Sequence, residues 1–181
     1  MFIWTGINVE KELSALKELK EEIERNLGIT DTVVNLPLHV SLRISSSVSD
    51  EIYPSLENAL IDFLRTVKLP PLEPTGFERE GGIVWLCYKE SEKIKEIHDS
   101  LCALMEERFY IPRHPFDFEF KYHTTLFTAI SEDKLAAAYD LVKDAPIPDV
   151  ITSKRILIGN SESGKAGEYK VIHDIEIGQT T

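Results

Sequence analysis

The chain has 181 residues, 43% of them apolar and 28% charged, which suits one soluble globular domain or two small lobes that bury a core without disulfide or metal staples. Its net charge of −11 argues against sequence-independent grip on a long nucleic-acid backbone, yet leaves room for a small anion in a local basic pocket. No apolar run approaches the roughly 18 residues of a membrane span. The opening "MFIWTGINVEKEL" does not read as a secretory signal, and the two cysteines, Cys87 and Cys102, give neither a disulfide framework nor metal spacing. A reducing, cytoplasmic location is the expectation.

"MFIWTGI" reads as a first strand, rich in aromatic and β-branched residues. "EKELSALKELKEEIERNLG" follows as a helix with a stripe through Leu13, Leu16, Ile23 and Leu27, stopped by Gly28. In "NLPLHVSLRIS", Leu38, Val40, Leu42 and Ile44 alternate as a buried strand face. "SDEIYPSLENALIDFLRTV" is a helix with Ser49 or Asp50 as its cap and Pro54 in its first turns. "PLEPTGFEREGGIVWLCYKE" reads as a hairpin turning at Glu80-Gly81-Gly82. Ser91 or Glu92 opens the helix "SEKIKEIHDSLCALMEERFY". After the proline-broken loop "IPRHPFD" comes the strand "FEFKYHTTLFTAI", then the helix "SEDKLAAAYDLVKDA" and two strands, "DVITSKRILIGN" and "GEYKVIHDIEIG".

The order is therefore β, then α-β-α-β-β, then α-β-α-β-β. The second block repeats the first. This predicts an α+β protein of mostly antiparallel sheets with outer helices, a single domain built as two pseudo-symmetric lobes around a central cleft. The lobes are expected near residues 1–90 and 91–181, with strand exchange between them allowed.

When the blocks are aligned, His39-Val40-Ser41-Leu42 falls opposite His123-Thr124-Thr125-Leu126. Strand side chains two apart share a face, so His39 goes with Ser41 and His123 with Thr125, while the leucines point to the core. If the two polar faces meet, two imidazoles and two hydroxyls surround one small volume. Such a set suits a phosphodiester. A neutral imidazole takes a proton from the attacking oxygen, a protonated one gives a proton to the leaving oxygen, and the hydroxyls donate to non-bridging oxygens.

This pattern resembles the two-histidine (2H) phosphoesterases, which include the 2′-5′ RNA ligase and cyclic phosphodiesterase proteins. Their mark is a pair of His-x-Thr/Ser-hydrophobic motifs, one per lobe of a bilobal α+β fold. The resemblance implies that His39 and His123 are the acid–base pair and Ser41 and Thr125 the phosphate holders. It also implies metal-independent action on 2′,3′-cyclic phosphates, 2′-5′ linkages or related small phosphoesters. The first motif carries Ser where Thr is commoner. Phe127 stands where a basic residue often follows the second motif, and "RISSSV" replaces the usual aromatic-glycine ending.

Around the motifs, Arg43 continues the face of His39 and Ser41, where its planar fork suits a phosphate and a wet rim suits it equally. Phe127 shares the face of His123 and fits either base stacking or a core or rim place. Trp4, on the first strand, is a core residue or a lining of the cleft. Arg113, with His114, sits in a loop that either closes over a ligand or is plain surface. His98 and His173 read as structural. No His-x-His, cysteine pair, His-Glu-x-x-His or strand–GxxxxGK–helix pattern is present, so neither a metal nor another cofactor is expected, and "GNSESGKAG" reads as a hairpin loop. The expected partner is a small nucleotide or RNA-end substrate met by a monomer, with no extended nucleic-acid surface and no membrane. The rival is a non-catalytic nucleotide or RNA-end binder. A 2′-5′ RNA ligase working in the reverse direction would use the same site.

Overall fold

The computed structural model describes residues 1–29, 36–128, 130–165 and 167–178. Its elements run β1 (Phe2–Asn8), α1 (Ser14–Leu27), β2 (His39–Ser47), α2 (Tyr53–Thr66), β3 (Pro74–Glu80), β4 (Ile83–Tyr88), α3 (Glu92–Phe109), a 3-10 turn (Pro115–Asp117), β5 (His123–Thr128), α4 (Glu132–Val142), β6 (Arg155–Ser161) and β7 (Lys170–Glu176). This is the duplicated order read from the sequence. Asn35, Ala129 and Ala166, which the sequence places in strands or a loop, lie outside the described residues. No helix among the described residues is long and apolar enough to cross a membrane.

Local chemistry sets most element ends. Gly28 closes α1 in the left-handed conformation, at φ 58° and ψ 43°. Gly81 and Gly82, at φ 58° and 80°, give the β3–β4 hairpin the two positive-φ residues of its tight turn. Ser91 caps α3 through its side chain, which accepts from Ile94 N. At α2 the expected side-chain cap is absent. The Ser49 carbonyl accepts from Ile52 N and Tyr53 N instead, and Pro54 sits in the first turn.

Two antiparallel sheets result, in the orders β2-β1-β6-β7 and β3-β4-β5. The expected division near residue 90 does not separate them. The hairpin that ends each block crosses to the other sheet, so β3 and β4 join β5, while β6 and β7 join β1 and β2. Alternation along a strand shows which face is buried but not which neighbour it pairs with. One continuous core, running from Ile3 and Leu42 through Leu60 and Ile94 to Leu126 and Ile158, serves both sheets.

Each sheet presents a motif strand at its inner edge. These two edges, β2 and β5, pack against each other at the seam. A polar knot pins the seam from behind. Arg43, 1% exposed, pairs with Asp117 Oδ2 at 2.5 Å and donates to the carbonyls of Ile44 and Pro112. From α3, buried His98 places Nδ1 2.7 Å from the Leu42 carbonyl and Nε2 3.2 Å from the Asp117 carbonyl, with Phe120 stacked on its ring. Asp117 Oδ2 also accepts from His114 N and so holds the 3-10 turn that leads into β5.

Removing one partner of a buried ion pair strands the other charge at a cost of about 3–5 kcal/mol, whereas replacing both with apolar groups is often neutral. Asp117→Ala is therefore expected to lower unfolding stability by about that amount. Arg43→Met combined with Asp117→Leu should recover most of it. Chemical denaturation of the three proteins is the check, and a loss under about 1 kcal/mol in Asp117→Ala would show that the knot does not hold the seam.

Candidate functional site

His39 and His123 each open their strand, half-buried, and they occupy matching places. The Nδ1 of His39 lies 2.8 Å from the Pro37 carbonyl and that of His123 lies 2.9 Å from the Lys121 carbonyl, in both cases the residue two positions back. A carbonyl oxygen only accepts, so Nδ1 carries the hydrogen in both rings. This fixes the neutral tautomer and leaves Nε2 of each imidazole with a free lone pair. Neither Nε2 has a hydrogen-bond partner among the described residues.

Burial lowers the pKa of both from the ordinary 6.5, because a desolvated imidazolium is costly. The Pro37 and Lys121 carbonyls oppose this by accepting from Nδ1. The charge of His123 adds to the lowering at His39, so the two rings sense each other across the seam. At His123 the added charge is that of Lys121. Ser41 and Thr125 are half-buried beside their histidines, opposite Gly6 and Trp85. The structure thus brings together His39, Ser41, His123 and Thr125 on two abutting edge strands.

Arg43 and Phe127 do not share this face, and one backbone feature accounts for both. The register of β1 with β2 runs Gly6 to Ser41, then Thr5 to Arg43, which leaves Leu42 as an extra residue. The register of β4 with β5 runs Trp85 to Thr125, then Val84 to Phe127, which leaves Leu126 extra. Each motif therefore ends in a bulge at its leucine. A bulge interrupts the alternation, so the next residue turns inward instead of out. Arg43 is drawn into the knot with Asp117 rather than toward a phosphate. Phe127 is fully buried, with Lys20 Nζ 5.7 Å from its ring centroid, rather than set to stack a base.

Arg113 is held by Asp99 and Glu106. It lines a cavity of about 460 Å³ with Lys95, Lys121 and Tyr122, and none of the four motif residues lines that cavity. Trp4 is a core residue, 5% exposed, and its ring is set against His39 with centroids 4.6 Å apart. Trp85, which the motif pattern does not single out, stands in the same relation to His123 at 4.7 Å. The sequence carries no signal for it, because the position that pairs with Ser41 as Trp85 pairs with Thr125 is Gly6.

His98, Cys102 and Asp117 bring three donor atoms within 4.8 Å of one another. They suit a cation poorly. Both His98 nitrogens face carbonyl oxygens, Asp117 is neutralised by Arg43, and burial pushes the Cys102 thiol up to about 11, so it stays protonated. His173 pairs with Glu57 of α2 at 2.5 Å, while its neighbour Asp174 binds Arg155 on the other side of the strand.

In nitrogen-detected NMR at neutral pH, both motif histidines are expected as Nδ1–H tautomers with unprotonated Nε2, titrating below 6.5. A protonated Nε2 in either neutral ring would contradict the carbonyl-fixed geometry.

No protein-family model matches the chain, and no curated protein matches its sequence. Solved structures do match along nearly the whole length. A structure of E. coli LigT complexed with 3′-AMP aligns at a TM-score of 0.56 and 15% identity, covering 98% of both chains. TT0787 of Thermus thermophilus aligns at 0.54 and 19%, covering 97% of both, and a structure described as a phosphoesterase at 0.54 and 15%, covering 98% of both. At such identities the likeness is one of fold, and the chain shares the two-sheet α+β fold of LigT from end to end.

Proposed function

We propose that the protein is a metal-independent phosphoesterase that opens a cyclic or 2′-linked phosphodiester, a 2′,3′-cyclic nucleotide or RNA end, by two-histidine acid–base catalysis. The reading rests on one observation above others. Two imidazoles, one on each of the edge strands that abut at the seam, each have Nδ1 tied back to a carbonyl, Nε2 without a partner among the described residues, and a hydroxyl two residues along. A lone strand histidine asks for none of this. The resemblance of both motifs to those of the two-histidine phosphoesterases supports it. So does the shared fold with LigT, which was crystallised with 3′-AMP.

In the proposed reaction one neutral imidazole takes a proton from water at Nε2 as the oxygen attacks phosphorus. The other, protonated at Nε2, gives its proton to the ribose oxygen that leaves. One P–O bond forms, one breaks, and the product is a phosphomonoester. Each proton transfer is worth about 10² to 10⁴ in rate. The hydroxyls of Ser41 and Thr125 donate to the non-bridging oxygens, where negative charge builds up. The near symmetry of the pair lets the roles exchange with the orientation of the substrate. The same steps on a 2′,3′-cyclic phosphate, with a ribose 5′-hydroxyl attacking in place of water and the 3′-oxygen leaving, give 2′-5′ ligation.

The active form carries one proton on the pair. It disappears when pH falls below the lower of the two coupled values and when pH rises above the higher. Both imidazoles are lowered from 6.5, so kcat/KM should follow a bell whose maximum lies on the acid side of 6.5. Turnover of the four nucleoside 2′,3′-cyclic monophosphates, followed by phosphorus NMR, is expected to vanish in His39→Ala and in His123→Ala. It should fall by about 10²-fold or more in Thr125→Val. Tight binding without turnover in the unaltered protein would instead mark a nucleotide binder. A rate climbing steadily from pH 5 to 9 would remove the two-imidazole mechanism.

A further inference from the structure

Each motif imidazole rests on an indole. The Trp4 and His39 rings are tilted by 33° and the Trp85 and His123 rings by 40°, with centroid separations of 4.6 and 4.7 Å. A cation within about 6 Å of a tryptophan face is attracted by the ring quadrupole. A neutral imidazole gains far less from the same contact.

The two tryptophans do not come from equivalent places. By strand pairing, the counterpart of Trp85, which lies opposite Thr125, is Gly6, which lies opposite Ser41. Trp4 stands two residues from Gly6 and reaches His39 by lying across it. A Cβ on Gly6 would meet Trp4 Cζ3 at 2.9 Å and His39 Cδ2 at 3.1 Å. On the neighbouring strand Gly159, paired with Trp4, makes the remaining room, since a Cβ there would fall 2.3 Å from Trp4 Nε1. Repetition of one block would have copied the position along with the contact. Here the contact recurs from different positions, and one copy needs two glycines to exist.

Resting on the phosphoesterase reading above, we infer that Trp4 and Trp85 are positioning residues that hold each imidazolium against an indole face and so keep a proton on the pair available for the acid step. Among the described residues few other charges face the rings. His39 has Asn8 opposite it on β1 and His123 across the seam. His123 has Cys87 opposite it on β4, with Glu78 beyond that thiol, and Lys121 two residues back, itself paired with Glu80. The indoles are thus the contacts that favour the charged rings from the side chains, where burial and the neighbouring cations oppose them.

The test is histidine NMR titration of the full chain, unaltered and as Trp4→Leu, Trp85→Leu and Trp4→Phe. Leucine keeps the site apolar without an aromatic face. The His39 titration should fall by about half a pH unit in Trp4→Leu, and that of His123 likewise in Trp85→Leu. In Trp4→Phe, which keeps a face, His39 should stay near its original value. The acid limb of the kcat/KM profile should move with the ring while KM holds. A titration that stays put or rises in both leucine variants would overturn the inference. Should Trp4→Leu fail to fold, half-buried Trp85 gives the same decision at His123. The readout needs no turnover. Falling titrations in a protein that hydrolyses nothing would keep the indole effect and discard the catalytic reading, whereas fixed titrations in an active enzyme would do the reverse.

Discussion

A guanidinium and a carboxylate, both out of water at 2.5 Å, fix the geometry on which the site depends. Neither Arg43 nor Asp117 tolerates burial alone, so the segment bearing one must dock against the segment bearing the other. Arg43 lies on β2, two residues after Ser41. Asp117 lies in the turn six residues before His123. Docking them sets β2 beside β5, and His98 reinforces the arrangement by bridging a carbonyl from each side. The bulge at Leu42 is what frees Arg43 for this task, since strict alternation would have left it on the outer face with the imidazole.

That constraint explains why the imidazoles can be so similarly placed while differing in their surroundings. Each takes its tautomer from the carbonyl two residues back, which is a property of its own strand entry. Each is partly buried, with an indole of its own sheet against its ring. The nearness of the two motifs is a product of the seam, because β2 and β5 belong to different sheets. The two hydroxyls and two ring nitrogens make this edge polar in a molecule whose net charge of −11 otherwise turns anions away.

The sequence made much of this legible. Periods of 3.6 and 2 located every helix and strand in its order, because those periods reflect which face is buried. The duplicated His-x-Ser/Thr-Leu tetrapeptide pointed to four residues on the two strands that abut at the seam. Three things stayed hidden for physical reasons. A bulge adds one residue to a ladder and shifts the face of everything after it, and composition does not mark where that happens. Strict alternation put Arg43 and Phe127 on the wrong face for this reason. Strand exchange is allowed by the sequence, but which strands exchange stays hidden, because the partners have equally apolar faces and β4 or β6 carries no label for its neighbour. Trp85 looks like any aromatic in a strand until its ring is seen against His123.

The exchanged hairpins also govern how the molecule can be made. β1 is a central strand whose second neighbour, β6, spans Arg155–Ser161, so Phe2 pairs with Ser161 across most of the chain. A nascent polypeptide still attached to its ribosome at residue 150 exposes that flank of β1 with nothing to cover it. Long-range pairings of this kind form late and slowly. Assembly of the four-stranded sheet therefore waits until β6 and β7 have cleared the ribosome. Until then that flank of β1 is an unpaired strand edge, the kind of surface that invites pairing with other chains.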